Sequence, residues 1–121
     1  NPLHTDENFA ATTPFGELIV QGALVLSIGT GLANSLGYLS GTVDAFVALD
    51  WKYRAPVKVG DTIWAVLKVN KKHEMPGYNG GLVTLYVTIF NQHNRPVQKG
   101  TWTLLVRGKN SVSESGHLVV E

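Results

Sequence analysis

The sequence of 121 residues contains no cysteine and little charge, since only 16% of its residues are Asp, Glu, Lys or Arg. The absence of cysteine excludes disulfide bridges, thiolate metal ligands and a cysteine nucleophile, so the hydrophobic core must hold the fold without cross-links. The formal net charge of +1 excludes the strong long-range field that draws proteins to nucleic acid or to anionic membranes. We therefore expect neither partner, and an anionic ligand has to be held by local groups.

Long hydrophobic runs are also missing. The longest, at residues 18–33, is interrupted by Gln21, Ser27 and Thr30, whereas a transmembrane helix needs roughly 20 predominantly apolar residues. The first residues, Asn-Pro-Leu-His, lack the basic and then apolar pattern of a secretory signal. We therefore predict a cytoplasmic protein. A hydrophobic content of 44% is enough for one compact domain over residues 1–121.

Two helices and four strands are predicted along the chain. Asp6 is a suitable N-cap for a short helix at residues 7–11. Residues 20–36 carry apolar side chains on almost every side, with Gly22, Gly29 and Gly31 among them. Such a helix is expected to be surrounded by protein, with neighbouring backbone very close to its glycines. Strands are expected where β-branched and aromatic residues are concentrated, at residues 43–53, 61–71, 81–92 and 97–107.

The third of these strands indicates which side of the sheet is buried. Positions 83, 85, 87 and 89 are all aliphatic, while Thr84, Tyr86 and Thr88 lie on the opposite side. An antiparallel sheet that curls around the apolar helix would bury both surfaces. The predicted architecture is therefore an α+β hotdog fold, with an antiparallel sheet wrapped around a long central helix.

One motif at the start of the chain points to a chemistry. Asn1, Pro2 and His4 are followed by Phe9 and Ala10, and then by Ile-Val-Gln-Gly at residues 19–22. This segment resembles the hydratase signature of MaoC-like proteins, in which Asp-x-Asn-Pro-x-His precedes a short helix and a Val-His-Gly turn into the central helix. The similarity continues through Tyr-Arg-Ala-Pro-Val at 53–57, Gly-Asp-Thr at 60–62, Asn-Gln at 91–92 and Val97, and it spans roughly residues 1–107.

The chain departs from this signature at two points. The aspartate of the motif is expected two residues before Asn1, outside this sequence, together with the first strand of the fold. Gln21 stands where these enzymes usually carry histidine. Because the contact expected at this turn comes from the backbone of Gly22, the exchange bears on substrate preference more than on the chemistry.

The resemblance implies a reversible hydration of an enoyl-CoA thioester to an (R)-3-hydroxyacyl-CoA. His4 and the upstream aspartate would form the acid/base pair, because imidazole exchanges protons near neutral pH. The N–H of Gly22, at the positive end of the helix dipole, would stabilise the negative charge that develops on the thioester oxygen. Coenzyme A is part of the substrate, and neither a further cofactor nor a metal is expected. The resemblance also implies a homodimer or a larger assembly.

Other polar residues have both a functional and a structural interpretation. Asn1 and Pro2 are expected to hold the loop around His4 rather than to react. Ser27 and Thr30 would line the acyl pocket or position water, or else bond to carbonyls of their own helix. The basic residues Lys52, Arg54, Lys58, Lys71 and Lys72 would meet coenzyme A phosphates or remain solvated. His73, His93 and His117 share no metal-ligand spacing and are expected on the surface. Core or interface positions are expected for Trp51, Tyr53, Trp64 and Trp102.

Two other functions remain open at this point. A non-catalytic MaoC-like subunit could bind acyl-CoA or complete the acyl tunnel of an active partner, although the presence of His4 argues against it. A hotdog acyl-CoA thioesterase would need a carboxylate on the central helix, and residues 20–36 contain no Asp or Glu.

Overall fold

The computed structural model describes residues 1–37 and 41–108. A 3-10 helix at Pro2–His4 is followed by helix α1 (Glu7–Ala11) and helix α2 (Gly22–Ser35). Four strands come next: β1 (Val43–Tyr53), β2 (Ile63–Glu74), β3 (Gly80–Asn91) and β4 (Pro96–Arg107). The predicted short helix and the four predicted strands are confirmed, with strand ends that differ by up to three residues.

The loop expected at the N-terminus is instead a turn of 3-10 helix. The side-chain oxygen of Asn1 accepts a hydrogen bond from the N–H of Leu3, and Pro2 occupies the first helical position. Proline is favoured there because the N–H that it lacks would have no helical acceptor. Asp6 then caps α1 by accepting from the N–H groups of Asn8 and Phe9, as predicted.

The strands form one antiparallel sheet in the order β1-β4-β3-β2. The predicted burial of one side of β3 is confirmed, because the aliphatic residues at four alternate positions, Val83, Leu85, Val87 and Ile89, are all buried. Tyr86, between them, is exposed. The sheet therefore has one dry side, which faces α2.

Helix α2 packs on that dry side along a stripe of small residues. Val25, Gly29 and Ala33 are its buried positions and follow the spacing of four residues that keeps side chains on one helix face. Ala33 joins the larger core cluster with Leu85 and Trp102, among others, and Val25 joins a second cluster near the start of the helix. The helix and sheet thus share two apolar clusters, and the one that contains Val25 holds the start of α2 over the sheet.

The expectation that protein surrounds this helix on all sides is wrong for the residues described. Leu24, Ile28 and Leu32 are 50%, 43% and 37% exposed and form a second stripe away from the sheet. A single four-stranded sheet covers only one side of a helix, so the described residues do not bury an apolar surface on every side of α2. The helix is also shorter than expected, because it begins at Gly22 and ends at Ser35.

Two polar clusters hold the ends of the sheet. Asp61 accepts hydrogen bonds from the backbone N–H of Lys58 and from the Gln92 side chain, each at 2.9 Å, and these bonds lower the pKa of Asp61 from its usual 3.8. At the other end, Asp44 pairs with Arg107 at 3.0 Å and accepts a hydrogen bond from the Tyr78 hydroxyl. That hydrogen bond raises the pKa of Tyr78.

Candidate active site

A cavity of about 470 Å³ opens where the N-terminal segment meets the start of α2 and the end of β1. It brings together His4 and Gly22, which are eighteen positions apart in the sequence. Its wall is mostly apolar, a composition typical of small-molecule sites. The lining residues are His4, Phe15, Ile19, Val20, Gly22, Ala23, Tyr53, Arg54, Ala55, Pro56, Val57 and Gln98.

His4 is held in the cavity wall by a backbone contact. Its Nδ1 lies 2.9 Å from the carbonyl oxygen of Ile19. Ile19 is itself anchored, because it forms an isolated bridge with Lys58 and the next residue, Val20, donates its N–H to the carbonyl of Val57 at 2.7 Å. A carbonyl only accepts hydrogen bonds, so Nδ1 must carry the proton. In the neutral imidazole, Nε2 therefore keeps its lone pair and is available as a base.

The start of α2 presents backbone donors to the same cavity. The carbonyl of Gln21 accepts from the N–H groups of Leu24 and Val25, and the Gln21 side chain makes no capping bond. Within the described part of the chain, no hydrogen-bond acceptor is found for the N–H groups of Gly22 and Ala23. The first N–H groups of a helix have no intrahelical acceptor and carry the positive end of its dipole. Both groups therefore favour a negatively charged oxygen nearby.

The ring of Tyr53 explains why residue 22 is glycine. A Cβ built on Gly22 would lie 2.7 Å from Cε1 and 2.8 Å from Cδ1 of Tyr53. The space that a side chain would take is thus filled by an aromatic ring, whose own residue is 59% exposed. Neighbouring backbone was expected close to the glycines of this helix, and at Gly22 the close neighbour is instead the side chain of Tyr53.

Three other predicted residues lie apart from this cavity. The hydroxyl of Thr30 donates to the carbonyl of Ser27 at 2.7 Å, and neither residue is among the lining residues. The structure thus shows the alternative, a bond to a helix carbonyl, for the hydroxyl of Thr30, and the pocket role of Ser27 stays a prediction. Asn1 caps the 3-10 helix that carries His4, so its contact supports the loop.

Gln98 was missed in the sequence and is the most constrained polar side chain of the wall. It is only 2% exposed. Its Nε2 donates to the carbonyl of Gly22 at 3.1 Å, and its Oε1 accepts from Trp51 Nε1 at 2.8 Å. The available signal was a polar residue beside Val97 near the start of β4, but other polar residues follow in that strand, so the pattern alone does not mark this position as buried.

The charged groups of the site are few. Arg54 lies in the wall, whereas Lys58 pairs with Glu17 at 3.6 Å on the surface. The lining includes no carboxylate. In residues 1–37 and 41–108, no three His, Asp or Glu side chains come together as metal ligands, and no helix is long and apolar enough to cross a membrane. His73 and His93 are exposed as expected, and His117 lies outside the described residues.

The chain is similar to proteins of one family. Residues 1–88 match the family model described as MaoC like domain. An (R)-specific enoyl-CoA hydratase from Aeromonas caviae is 36% identical over 92 residues, which cover 76% of this chain and 64% of that protein, just under two thirds of its length.

Two solved structures share the fold. One is described as a monoamine oxidase regulatory protein from Archaeoglobus fulgius, with a TM-score of 0.83 and 36% identity over 89% of this chain and 72% of that one. The other is an (R)-hydratase from A. caviae, with a TM-score of 0.70 and 31% identity over 89% of this chain and 76% of that one.

Proposed function

The chain belongs to the MaoC-like domain family, and on that premise we propose that it hydrates trans-2-enoyl-CoA thioesters to (R)-3-hydroxyacyl-CoA and catalyses the reverse dehydration. One observation carries the proposal: the same cavity is lined by His4 and by the first two residues of α2, whose N–H groups have no acceptor among the described residues. Hydration of an enoyl thioester needs both a group that transfers the proton of the added water and a hydrogen-bond donor to the thioester oxygen, which gains negative charge.

The reaction can be followed on these residues. With Nδ1 bonded to the Ile19 carbonyl, Nε2 of His4 exchanges a proton with the water that adds to or leaves carbon 3. A second group exchanges the proton at carbon 2. During the step, charge builds on the thioester oxygen, and the N–H groups of Gly22 and Ala23 stabilise it. Such a donor typically contributes about 2.7–4 kcal/mol to the transition state.

The second proton-transfer group of the proposal is the aspartate expected two residues before Asn1. No lining residue is a carboxylate, and the nearby Asp6 is committed to capping α1. In the full-length protein, replacing that aspartate with asparagine is expected to lower kcat at least as much as replacing His4, because the two groups act on one reaction.

Coenzyme A enters the proposal as part of the substrate. Arg54, a residue of the cavity wall, is proposed to bind its phosphates, since a guanidinium binds phosphate with two parallel hydrogen bonds. Hydration adds water without a net oxidation or reduction, so the proposal includes no redox cofactor, and acid/base groups of the protein supply the proton transfers without a metal. A cytoplasmic location is expected, where acyl-CoA substrates are available.

The test is the loss of the conjugated enoyl thioester absorbance. We compare wild type, His4→Ala and the control His73→Ala, which removes an exposed histidine outside the cavity. General acid/base catalysis contributes about 10²–10⁴-fold, so His4→Ala is expected to lose at least about 100-fold in kcat while His73→Ala keeps the wild-type rate. Equal rates for all three proteins would refute the role of His4.

The same assay separates the alternatives. A non-catalytic subunit would bind an acyl-CoA without changing the enoyl absorbance. A thioesterase would release free thiol from an acyl-CoA. The thioesterase is the weaker alternative, because α2 carries no carboxylate to activate water.

We also propose that two copies pair along β1. This strand bonds only to β4 within the described sheet, so its other edge is open, and open edges favour strand addition. Val47, at a bulge in β1, is 51% exposed. Sedimentation should show a dimer for wild type and a monomer for Val47→Lys, because an edge lysine discourages pairing. A wild-type monomer at all concentrations would contradict this assembly.

A further inference from the structure

Gln98 places a buried amide in the wall of the active-site cavity. The residue lies near the start of β4, and the buried residues that follow along the strand include Trp102 and Leu104. An apolar side chain would fill such a position at lower cost, because an amide taken out of water must recover its hydrogen bonds inside the protein. What Gln98 bonds to is therefore informative.

The two hydrogen bonds of Gln98 join three elements. Its Nε2 donates to the Gly22 carbonyl on α2, and its Oε1 accepts from the Trp51 indole on β1. The indole nitrogen only donates and the carbonyl only accepts, so the orientation of the amide is fixed by its partners. The side chain thus connects the sheet to the first residue of the helix.

The bond to Gly22 acts on the donors of the site through the peptide plane. The carbonyl of Gly22 and the N–H of Ala23 belong to the same planar peptide group, so holding the oxygen also fixes the direction of that N–H. Gly22 has no Cβ, so fixing its backbone at the start of the helix costs more conformational freedom than it would for another residue. The Gln21 side chain adds no cap, which leaves Gln98 as the side-chain contact to this peptide group.

We propose that Gln98, held in turn by Trp51, is a positioning residue that fixes the direction of the Ala23 N–H at the cavity. Its catalytic consequence rests on the proposed hydratase function, in which this N–H and that of Gly22 bind the charged thioester oxygen. Preorganised donors work only within a narrow range of geometry, and a misplacement of about 1 Å can cost about 100-fold in rate.

The first experiment compares Gln98→Met with the matched control Gln92→Met in the full-length protein. Methionine keeps the length of glutamine and removes its hydrogen bonds. Gln92 bonds to Asp61 and to the N–H of Thr62, outside the cavity. In Gln98→Met, the amide NMR signals of Gly22 and Ala23 should shift and exchange faster with solvent, whereas in Gln92→Met they should keep their wild-type values.

Kinetics supply the second readout. Gln98→Met is expected to lower kcat at least about tenfold while KM stays within about twofold of wild type, because the donors act mainly in the transition state. A general loss of structure would instead lower the melting temperature and the fraction of active protein. Should Gln98→Met fail to fold, Trp51→Phe keeps an aromatic ring, removes the donor to Oε1 and is expected to shift the same two amide signals.

The outcomes distinguish this inference from the hydratase proposal. Unchanged Gly22 and Ala23 signals in the folded variant overturn the positioning role, as does a kcat equal to that of Gln92→Met in an active enzyme. If wild type hydrates no enoyl-CoA, the hydratase proposal fails, and shifted signals in Gln98→Met would still support the structural half of the inference.

Discussion

Glycine at position 29 of α2 allows close packing that can be tested by adding a single methyl group. A Cβ built on Gly29 would lie 2.6 Å from Cδ1 of Ile89, a side chain with no exposed surface. At Gly31, two residues further along the helix, a Cβ would meet no atom within 4 Å. The two positions share a helix and a residue type and differ in what surrounds them.

The expected stability changes follow from two opposing terms. Alanine is favoured over glycine inside a helix by about 1 kcal/mol, so Gly31→Ala should stabilise the protein by up to about 1 kcal/mol. Gly29→Ala gains the same helical term but overpacks the core, which typically costs about 1–3 kcal/mol. Its net effect should be a destabilisation of about 0–2 kcal/mol.

A double-mutant cycle isolates the contact. Ile89→Val removes Cδ1 and alone should cost about 0.5–1.5 kcal/mol. Combined with Gly29→Ala, it leaves room for the new methyl group, so the double variant should be more stable than the sum of the single changes by at least about 1 kcal/mol. Unfolding in urea measures all four free energies. Additive changes, or a Gly29→Ala variant stabilised as much as Gly31→Ala, would refute the proposed contact.

Three further predictions concern the cavity and the polar clusters. Gly22→Ala should displace the Tyr53 ring and lower kcat/KM about tenfold while the protein stays folded, and an unchanged kcat/KM would contradict the packing at Gly22. Because the pKa of Asp61 is lowered in the folded state, its ionised form stabilises the fold above pH 3.8, and this contribution is lost as the pH falls below that value. Asp61→Asn should therefore be less stable than wild type by under about 1 kcal/mol at neutral pH, with the gap closing on acidification; a gap that persists in acid would contradict this. The pKa of Tyr78 is raised in the folded state, so its hydrogen bond stabilises the fold below pH 10.0, and this contribution is lost as the pH rises above that value. Tyr78→Phe should therefore be less stable than wild type below pH 10.0, with the difference shrinking at higher pH, which unfolding curves at increasing pH would check.

Much of the site could be predicted from short-range patterns. Asn1, Pro2 and His4 lie within four residues and carry a recognisable motif, and Asp6 signals the helix that follows. The alternation in β3 correctly indicated the buried side of the sheet, because neighbouring side chains on a strand must point to opposite faces. These features depend on residues that are close together in the sequence and on the regular geometry of helices and strands, so they can be predicted without the tertiary structure.

Contacts between distant parts of the chain required the structure. Gln98 meets Gly22 across 76 positions and Trp51 across 47, and no local pattern specifies either distance. The three glycines of α2 look alike in the sequence, yet one faces an aromatic ring, one faces Ile89 and one faces open space. The exposure of Leu24, Ile28 and Leu32 could likewise not be predicted, because the apolar sequence of α2 indicated burial on every side.

The sequence by itself determined the elements, the buried side of the sheet and the histidine motif, because local spacing and side-chain chemistry settle those. Only the tertiary structure decided which residues meet at the mouth of α2. The packing of α2 on the sheet sets the distances between these residues, and that packing depends on all the helices and strands together.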